Sequence, residues 1–295
     1  MTRYAGWLAA VGLLAVLVLG ISWRACSQTP GSATPPASGA ADPDFPRKTP
    51  PKPGDWLYSF KERGQTVEAY KAECVVRKRE GRETIILQPM GGLLDTHRDT
   101  LESVREYVGL YWSCPAEVAE AIPMPEETYE KKRRQYDADR ILVDLRNRVP
   151  GKALAYFGFC REDLYSEGLN YVFGVASLRQ RVGVYSLARY GEKDAKEDGE
   201  PIFLVRTLKV ASHELAHMYG LEHCVRYECN VNGANSVSEM DRGPSHLCPE
   251  CLEKARWNTG FDVKDRYGKL AAFYDKAGMK KDAAFARRQA AKLGR

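Results

Sequence analysis

Apolar residues fall in several rhythms along this chain, and each rhythm predicts a different kind of segment. Between Arg3 and Arg24 no charge interrupts the twenty positions YAGWLAAVGLLAVLVLGISW. As a helix that run would extend about 30 Å, the thickness of a bilayer core. Residues 1–26 are therefore expected to be a membrane anchor or a lipoprotein signal with Cys26 as acceptor, which would put the remainder outside the cytoplasm, periplasmic or at the cell surface. Residues 27–65 then lose nearly all aliphatics and fill with Pro, Gly, Ser and Ala, the composition of a disordered tether.

From about residue 66 the rhythms of regular structure return. ETIILQPM predicts a buried strand, and DTLESVREYVGLYW an amphipathic helix with Leu101, Val104, Val108 and Leu110 apolar. AEAIPMPEE predicts a short strand ended by prolines, and DADRILVDLRNRV a helix with Ile141, Leu142 and Leu145 on one side. ALAYFGF, NYVFGVAS and RVGVYSLARY are three strand-like runs rich in aromatic and β-branched residues. FLVRTLKVASHELAHMYG reads as a long helix with Leu204, Leu208, Ala211, Leu215 and Met218 at helical spacing. Strands and helices interleave, so residues 66–257 are expected to form an α/β domain. Few periodic elements are visible between residue 220 and Val263. Residues 258–295 predict a basic hairpin of two alanine-rich helices broken at Gly278, which packs on the domain because one such unit cannot stand alone.

Charge narrows the function classes. The formal net charge is +5, but from Phe261 to Arg295 there are ten Lys/Arg against four Asp/Glu. The excess is a property of the tail, so the main domain carries no nucleic-acid footprint. Arg287, Arg288, Lys292 and Arg295 are expected to form a solvated helix face, with contact to anionic lipid near the anchor as the alternative.

The chemistry concentrates in HELAHMYGLEHC, residues 213–224, which holds three of the five histidines. On a helix His213 and His217 stand one turn apart on one face and can share an ion. Gly220 lets the chain turn back, so that His223 can approach the same ion. Three neutral imidazoles leave a fourth tetrahedral position open, as catalytic zinc requires, and Glu214 is the natural general base. A second group, Cys224, Cys229, Cys248 and Cys251, reads CxxxxC, eighteen residues, then CxxC. Four thiolates at this spacing predict a closed structural zinc site, with two disulfides as the alternative in an exported chain. Two zinc ions of different roles are thus expected. The segment from 221 to 254 would depend on the second for its fold. Cys74, Cys114 and Cys160 are expected as buried free thiols, with one bridged pair among them as the alternative, and His246 as a solvent-exposed side chain, with a place behind the ligands of either metal as the alternative.

HExxHxxGxxH is the pattern of the metzincins. Together with ANSVSEMDRGPSHLCPECLEK, PMPEETYEKKRRQYDADRIL, REDLYSEGLNYVFGVAS and RVGVYSLARY, it closely resembles the archaemetzincins over about residues 82–254. The resemblance implies a metzincin-like zincin domain with a twisted mixed sheet, an active-site helix and a four-cysteine zinc subdomain. It implies His213, His217 and His223 as zinc ligands and Glu214 as general base and acid in hydrolysis of a peptide or protein substrate. NYVFGVAS would match the edge strand that aligns an extended peptide. Where archaemetzincins place a turn methionine, two residues after the cysteine corresponding to Cys229, this chain has Val231. Valine keeps an apolar floor at smaller volume, so altered stability or metal affinity is expected more than lost chemistry. Glu239, Asp241 and Arg242 match the family pattern and are expected to be a salt-bridged scaffold. The competing functions are a peptide-binding pseudopeptidase held together by zinc, and a domain that scavenges or senses zinc.

Overall fold

Strands flanked by neighbours on both sides need apolar residues on both faces, and the central strands of this chain meet that condition. A computed structural model describes residues 42–294. Two short helices, α1 (Trp56–Ser59) and α2 (Val67–Glu73), precede strand β1 (Thr84–Pro89), helix α3 (Leu93–Trp112) and strand β2 (Ala116–Val118). Strands β3 (Tyr129–Glu130) and β4 (Gln135–Asp137) lead into helix α4 (Ala138–Arg148), followed by β5 (Ala153–Cys160), β6 (Leu164–Tyr165), β7 (Gly174–Ala176) and β8 (Val182–Ser186). A minimal hairpin, β9 (Lys196–Glu197) and β10 (Glu200–Pro201), enters the long helix α5 (Ile202–Met218). Four helices complete the chain: α6 (Val237–Arg242), α7 (Pro249–Thr259), α8 (Val263–Lys276) and α9 (Lys280–Lys292).

The main sheet has the order β2-β1-β5-β8-β7, with the first four strands parallel and β7 antiparallel to β8. All eight residues of β5 are buried, as its central place requires. One face, through Ile85, Leu87, Phe157, Phe159 and Tyr185, shares a core with α3 and α5; the other, through Ile86, Tyr156 and Val184, packs on α4. Helix α4 starts where Asp137 accepts hydrogen bonds from the backbone N–H of Asp139 and Arg140. The mixed α/β architecture is the one the sequence predicts.

Three sequence expectations are corrected. The strand expected over residues 119–127 lies earlier, at β2, and Ile122 contributes only an isolated bridge to Met90. Pro123 and Pro125 have no N–H to donate to a ladder, which limits pairing there. Helices α6 and α7 occupy the region that shows little periodicity, and α7 runs to Thr259, across the expected hairpin boundary. The tether expected over 27–65 is, from residue 42, packed on the domain. Phe45 meets His246 and Phe285 edge-on, Trp56 is buried, and backbone bonds join Lys48 N–H to the Arg226 carbonyl and Glu228 N–H to the Pro46 carbonyl. Segment-averaged composition hides these few anchors. The apolar run at residues 4–23 lies outside the described residues, and among the described residues no helix is long and apolar enough to cross a membrane.

The C-terminal hairpin turns at Gly278, whose φ is +75°, and packs on the domain through α8 against α3. Arg287, Arg288 and Lys292 are exposed, as expected of a solvated face, and also form ion pairs: Arg288 and Lys292 with Asp44, Lys292 also with Asp42, and Arg287 with Asp275; Arg295 lies outside the described residues. The hairpin thus holds the start of the described N-terminal segment. Its anchor to the core is Arg266, which is 1% exposed, donates from Nε to the Tyr111 carbonyl at 2.6 Å and lies over the Tyr111 ring. Arg266→Met keeps most of the volume but strands that carbonyl. We expect it to cost about 2–3 kcal/mol in urea denaturation, the range for a lost charged hydrogen bond with a buried partner left unpaired.

Candidate metal centre and active site

Helix α5 carries His213 and His217 on one face and stops in a way that brings the third histidine around. Gly220, at φ +85°, follows the last turn. Its N–H bonds the His217 carbonyl at 2.8 Å and the Leu221 N–H bonds the Ala216 carbonyl at 3.0 Å, the paired bonds of a Schellman turn. That reversal presents the Leu221 carbonyl to His217 Nδ1 at 2.7 Å. The Asn230 carbonyl meets His213 Nδ1 at 2.8 Å. His223 Nδ1 lies 2.9 and 3.1 Å from the two carboxylate oxygens of Glu62.

These partners fix the tautomers. A carbonyl or carboxylate oxygen can only accept, so each Nδ1 carries the proton and each Nε2 exposes a lone pair. The Nε2 atoms of His213 and His217 are 3.0 Å apart, and His223 Nε2 is buried without a hydrogen-bond partner among the described residues. The three histidines offer ligand atoms that all lie within 4.8 Å of one another. Converging lone pairs repel unless a cation sits among them. Burial, reinforced by neighbouring imidazoles, pushes His213 down to about 3 and His217 well below the usual histidine range, so protonation is a poor remedy. The donor set fits zinc.

Glu214 is fully buried, and among the described residues neither carboxylate oxygen has a partner. Burial alone pushes its carboxyl up to about 8. It faces edge strand β7, where Gly174 leaves it room: a Cβ there would lie 2.9 Å from the Val184 carbonyl and 3.0 Å from Glu214 Cδ and Oε1. A cavity of about 40 Å³, lined by His213, Glu214, Phe173, Lys48, Asn230 and Met240 among others, adjoins the site and has room for ordered water.

The four cysteines form a second, separate group. All are buried and free, with ligand atoms within 4.8 Å of one another. Cys224 Sγ and Cys248 Sγ are 3.7 Å apart, close to the ~3.8 Å that Zn–S bonds of about 2.3 Å impose between thiolates on a tetrahedral ion. Hydrogen bonds from Cys229, Cys248 and Cys251 hold the Cys224 thiol well below its ordinary range. Four sulfurs around one point fit a metal better than two disulfides. Cys114 and Cys160 are buried free thiols as expected, and Cys74 is free and half-buried.

Val231 is fully buried in the turn after Cys229, and its carbonyl accepts from Cys224 N–H at 2.9 Å. The turn thus holds a buried apolar side chain at this position. Glu239 accepts from Trp56 N–H and Asn235 N–H, Asp241 pairs with Arg206 and Arg242 with Asp55, a scaffold as expected. His246 is corrected: it is not solvent-exposed but half-buried, stacked on Phe285 at 3.6 Å. Sequence reasoning missed Glu62, Gly174 and the Asn230 carbonyl. Only the aromatic pair Trp56 and Phe60 inside a proline-rich stretch hints that the segment around Glu62 packs.

An α/β domain that sets a three-histidine cluster and a buried glutamate beside an antiparallel edge strand has the architecture of a metallopeptidase. The family model described as Peptidase family M54 matches residues 112–256. Archaemetzincin from Methanopyrus kandleri is 37% identical over 135 residues, covering 46% of this chain and 74% of that protein. Human archaemetzincin-2 is 29% identical over 264 residues, covering 76% of this chain and 72% of its own length. The crystal structure of the Methanopyrus kandleri archaemetzincin superposes with a TM-score of 0.54 at 31% identity, over 62% of this chain and 99% of that one. The chain belongs to the archaemetzincin family.

Gly174→Ala is expected to cost about 1–3 kcal/mol, the usual range for overpacking, because the Val184 carbonyl is backbone and yields little. The penalty should shrink when Glu214→Ala is already present, since one of the two obstructing groups is then gone. Denaturant melts of the two single variants and the double variant measure that coupling.

Proposed function

We propose that the chain is a zinc-dependent peptidase that hydrolyses peptide bonds with Glu214 as general base and acid. The observation that carries this reading is the set of imidazole lone pairs at His213, His217 and His223, aimed together by their committed Nδ1 atoms, beside a carboxylate that no group among the described residues satisfies. Zinc held there supplies Lewis acidity that polarises a carbonyl and makes water a better nucleophile near neutral pH.

The remaining chemistry belongs to the chain's own groups. A nearby dication favours the ionised form of Glu214, offsetting its burial. Its carboxylate accepts the proton that water loses on attacking the scissile carbonyl, then donates it to the departing amine nitrogen. No covalent intermediate is required. Among the described residues strand β7 pairs only with β8 in its sheet, so its other edge suits an extended peptide backbone adding as a further strand. The four cysteines would hold a second, structural zinc, and because Cys224 follows His223 directly, that ion braces the third histidine. The apolar run at residues 4–23 would tether the domain to a membrane with the domain outside the cytoplasm, a reading supported by sequence alone.

The test is hydrolysis of a mixed peptide library by purified protein of known metal content. We expect two zinc ions per chain, cleavage by the wild type, and a fall of about 10²–10⁴-fold in Glu214→Ala with both ions retained. Peptide bound but cleaved by neither form would favour a binding module, and freely exchanging metal with no peptide preference a zinc scavenger. Cys251→Ser should lose the cysteine-site ion, weaken zinc binding at the histidine site, whose His223 and Asn230 lie in the same segment, and melt at much lower temperature, because the fold of residues 221–254 is coupled to that ion.

A further inference from the structure

Of the three imidazoles, His223 alone has its Nδ1 held by a side chain, and that side chain comes from far away in the sequence. His213 and His217 are oriented by the carbonyls of Asn230 and Leu221, whose positions follow from nearby turns. His223 is oriented by Glu62, 161 residues earlier and outside the stretch matched by the family model. Both oxygens of Glu62 lie within 3.1 Å of Nδ1, on the side of the ring away from Nε2, so Glu62 is not itself a ligand atom of the cluster.

The carboxylate is in turn held in place. Trp56 donates from Nε1 to Glu62 Oε1 at 2.9 Å, and its ring meets the His223 ring edge-on at 5.1 Å. Trp56 is seated against Gly233, where a Cβ would collide with the indole, and its backbone N–H is bound by Glu239. Glu62 and Trp56 therefore form a bracket around His223 built on the edge of the metal centre. A carboxylate on the distal nitrogen fixes the tautomer, restricts ring rotation and makes the ligating nitrogen more basic. His223 needs this more than the other two. It lies beyond the end of α5, in a stretch without regular structure, so no helix fixes its ring.

We propose that Glu62 is a positioning residue for the histidine metal site: it orients and strengthens His223 as the third ligand, and the proline-rich N-terminal segment is thereby part of the catalytic centre. This rests on the zinc peptidase reading of that site. Glu62→Gln retains an oxygen that accepts from both His223 Nδ1 and Trp56 Nε1 but removes the charge, whereas Glu62→Ala removes both. The bracket predicts the order wild type, Gln, Ala in affinity for zinc at the histidine site. It predicts equal affinity at the cysteine site in all three.

The experiment is chelator-competition titration of metal-free full-length protein with zinc, beside titration with Co(II). In the cobalt spectra thiolate charge-transfer bands report the cysteine site and the remaining ligand-field bands the histidine site. Expected is a loss of about 10–100-fold in histidine-site affinity for Glu62→Ala, within the range for removing such a partner, and a smaller loss for Glu62→Gln. The histidine-site cobalt spectrum should change in both while the thiolate bands stay as in the wild type. Unchanged histidine-site affinity in Glu62→Ala would overturn the proposal. So would a parallel loss at the cysteine site, which would mark Glu62 as holding the fold only. His217→Ala separates the underlying reading. If the wild type binds no more metal than that variant, the peptidase reading falls and this proposal with it; if the wild type binds and the Glu62 variants match it, only this proposal falls.

Discussion

Three imidazole lone pairs directed at one point make an unfavourable arrangement in an apolar interior, and much of the surrounding structure exists to enforce it. Each ring could relieve the repulsion by rotating or by exchanging its tautomer. Each is prevented by a bond at Nδ1 to a group that can only accept: the Asn230 carbonyl, the Leu221 carbonyl and the Glu62 carboxylate. The Schellman turn at Gly220 delivers the second of these, and the turn after Cys229 delivers the first. Removing solvent from the rings strengthens the effect, since it also denies them protons. A divalent cation is the natural counterpart of such a construction, and the energy stored in its absence becomes binding energy in its presence.

The two candidate metal-binding groups are mechanically one unit. The loop that carries the Asn230 carbonyl begins at Cys224 and passes through Cys229. Asn232 closes it by donating to the carbonyls of Cys224 and Tyr227 and accepting from Cys229 N–H. Asn230 is further pinned by its own amide donating to Ser212 on α5 and by its N–H donating to the His246 carbonyl. Clamping the four sulfurs therefore sets where the Asn230 carbonyl lies, which sets the ring of His213. At its other end the cysteine group holds Cys224, the neighbour of His223. Val231 is buried in this turn and its carbonyl accepts from Cys224 N–H, while the turn's geometry rests on the asparagines and cysteines around it.

Legibility in the sequence follows the range of the interactions involved. His213, Glu214 and His217 are readable because a helix converts spacing directly into a shared face, and Gly220 because few other residues tolerate its φ. The central strands are readable because burial on both faces leaves an unbroken apolar run. Segment 42–65 misleads for the opposite reason. Its order comes from Phe45, Trp56 and a few charges that meet partners at residues 223–292, information absent from any local window. Helix α6 is too short to show periodicity, although Ser236 and Glu239 stand at capping-box spacing and Ser236 does accept from the Glu239 N–H. His246 looks exposed in the sequence because its partner, Phe285, belongs to the hairpin.

Two buried glutamates show how the fold separates scaffold from chemistry. Glu239 is almost as buried as Glu214, yet its oxygens accept from the N–H groups of Trp56 and Asn235, and it joins the N-terminal segment to α6. Nothing is left for it to do. Glu214 has no such donors, and Gly174 keeps side-chain atoms from filling the space beside it. Leaving a carboxyl group in an apolar site without a partner costs on the order of a few kcal/mol, and a stable fold tolerates few such groups. The same isolation makes the group sensitive to any charge that enters the site, because a low dielectric weakens attraction least. A carboxyl that no group among the described residues satisfies, one residue from a ring whose Nε2 lone pair likewise faces no donor, is therefore best understood as waiting for an ion and a substrate; satisfying it from within would turn Glu214 into a second Glu239.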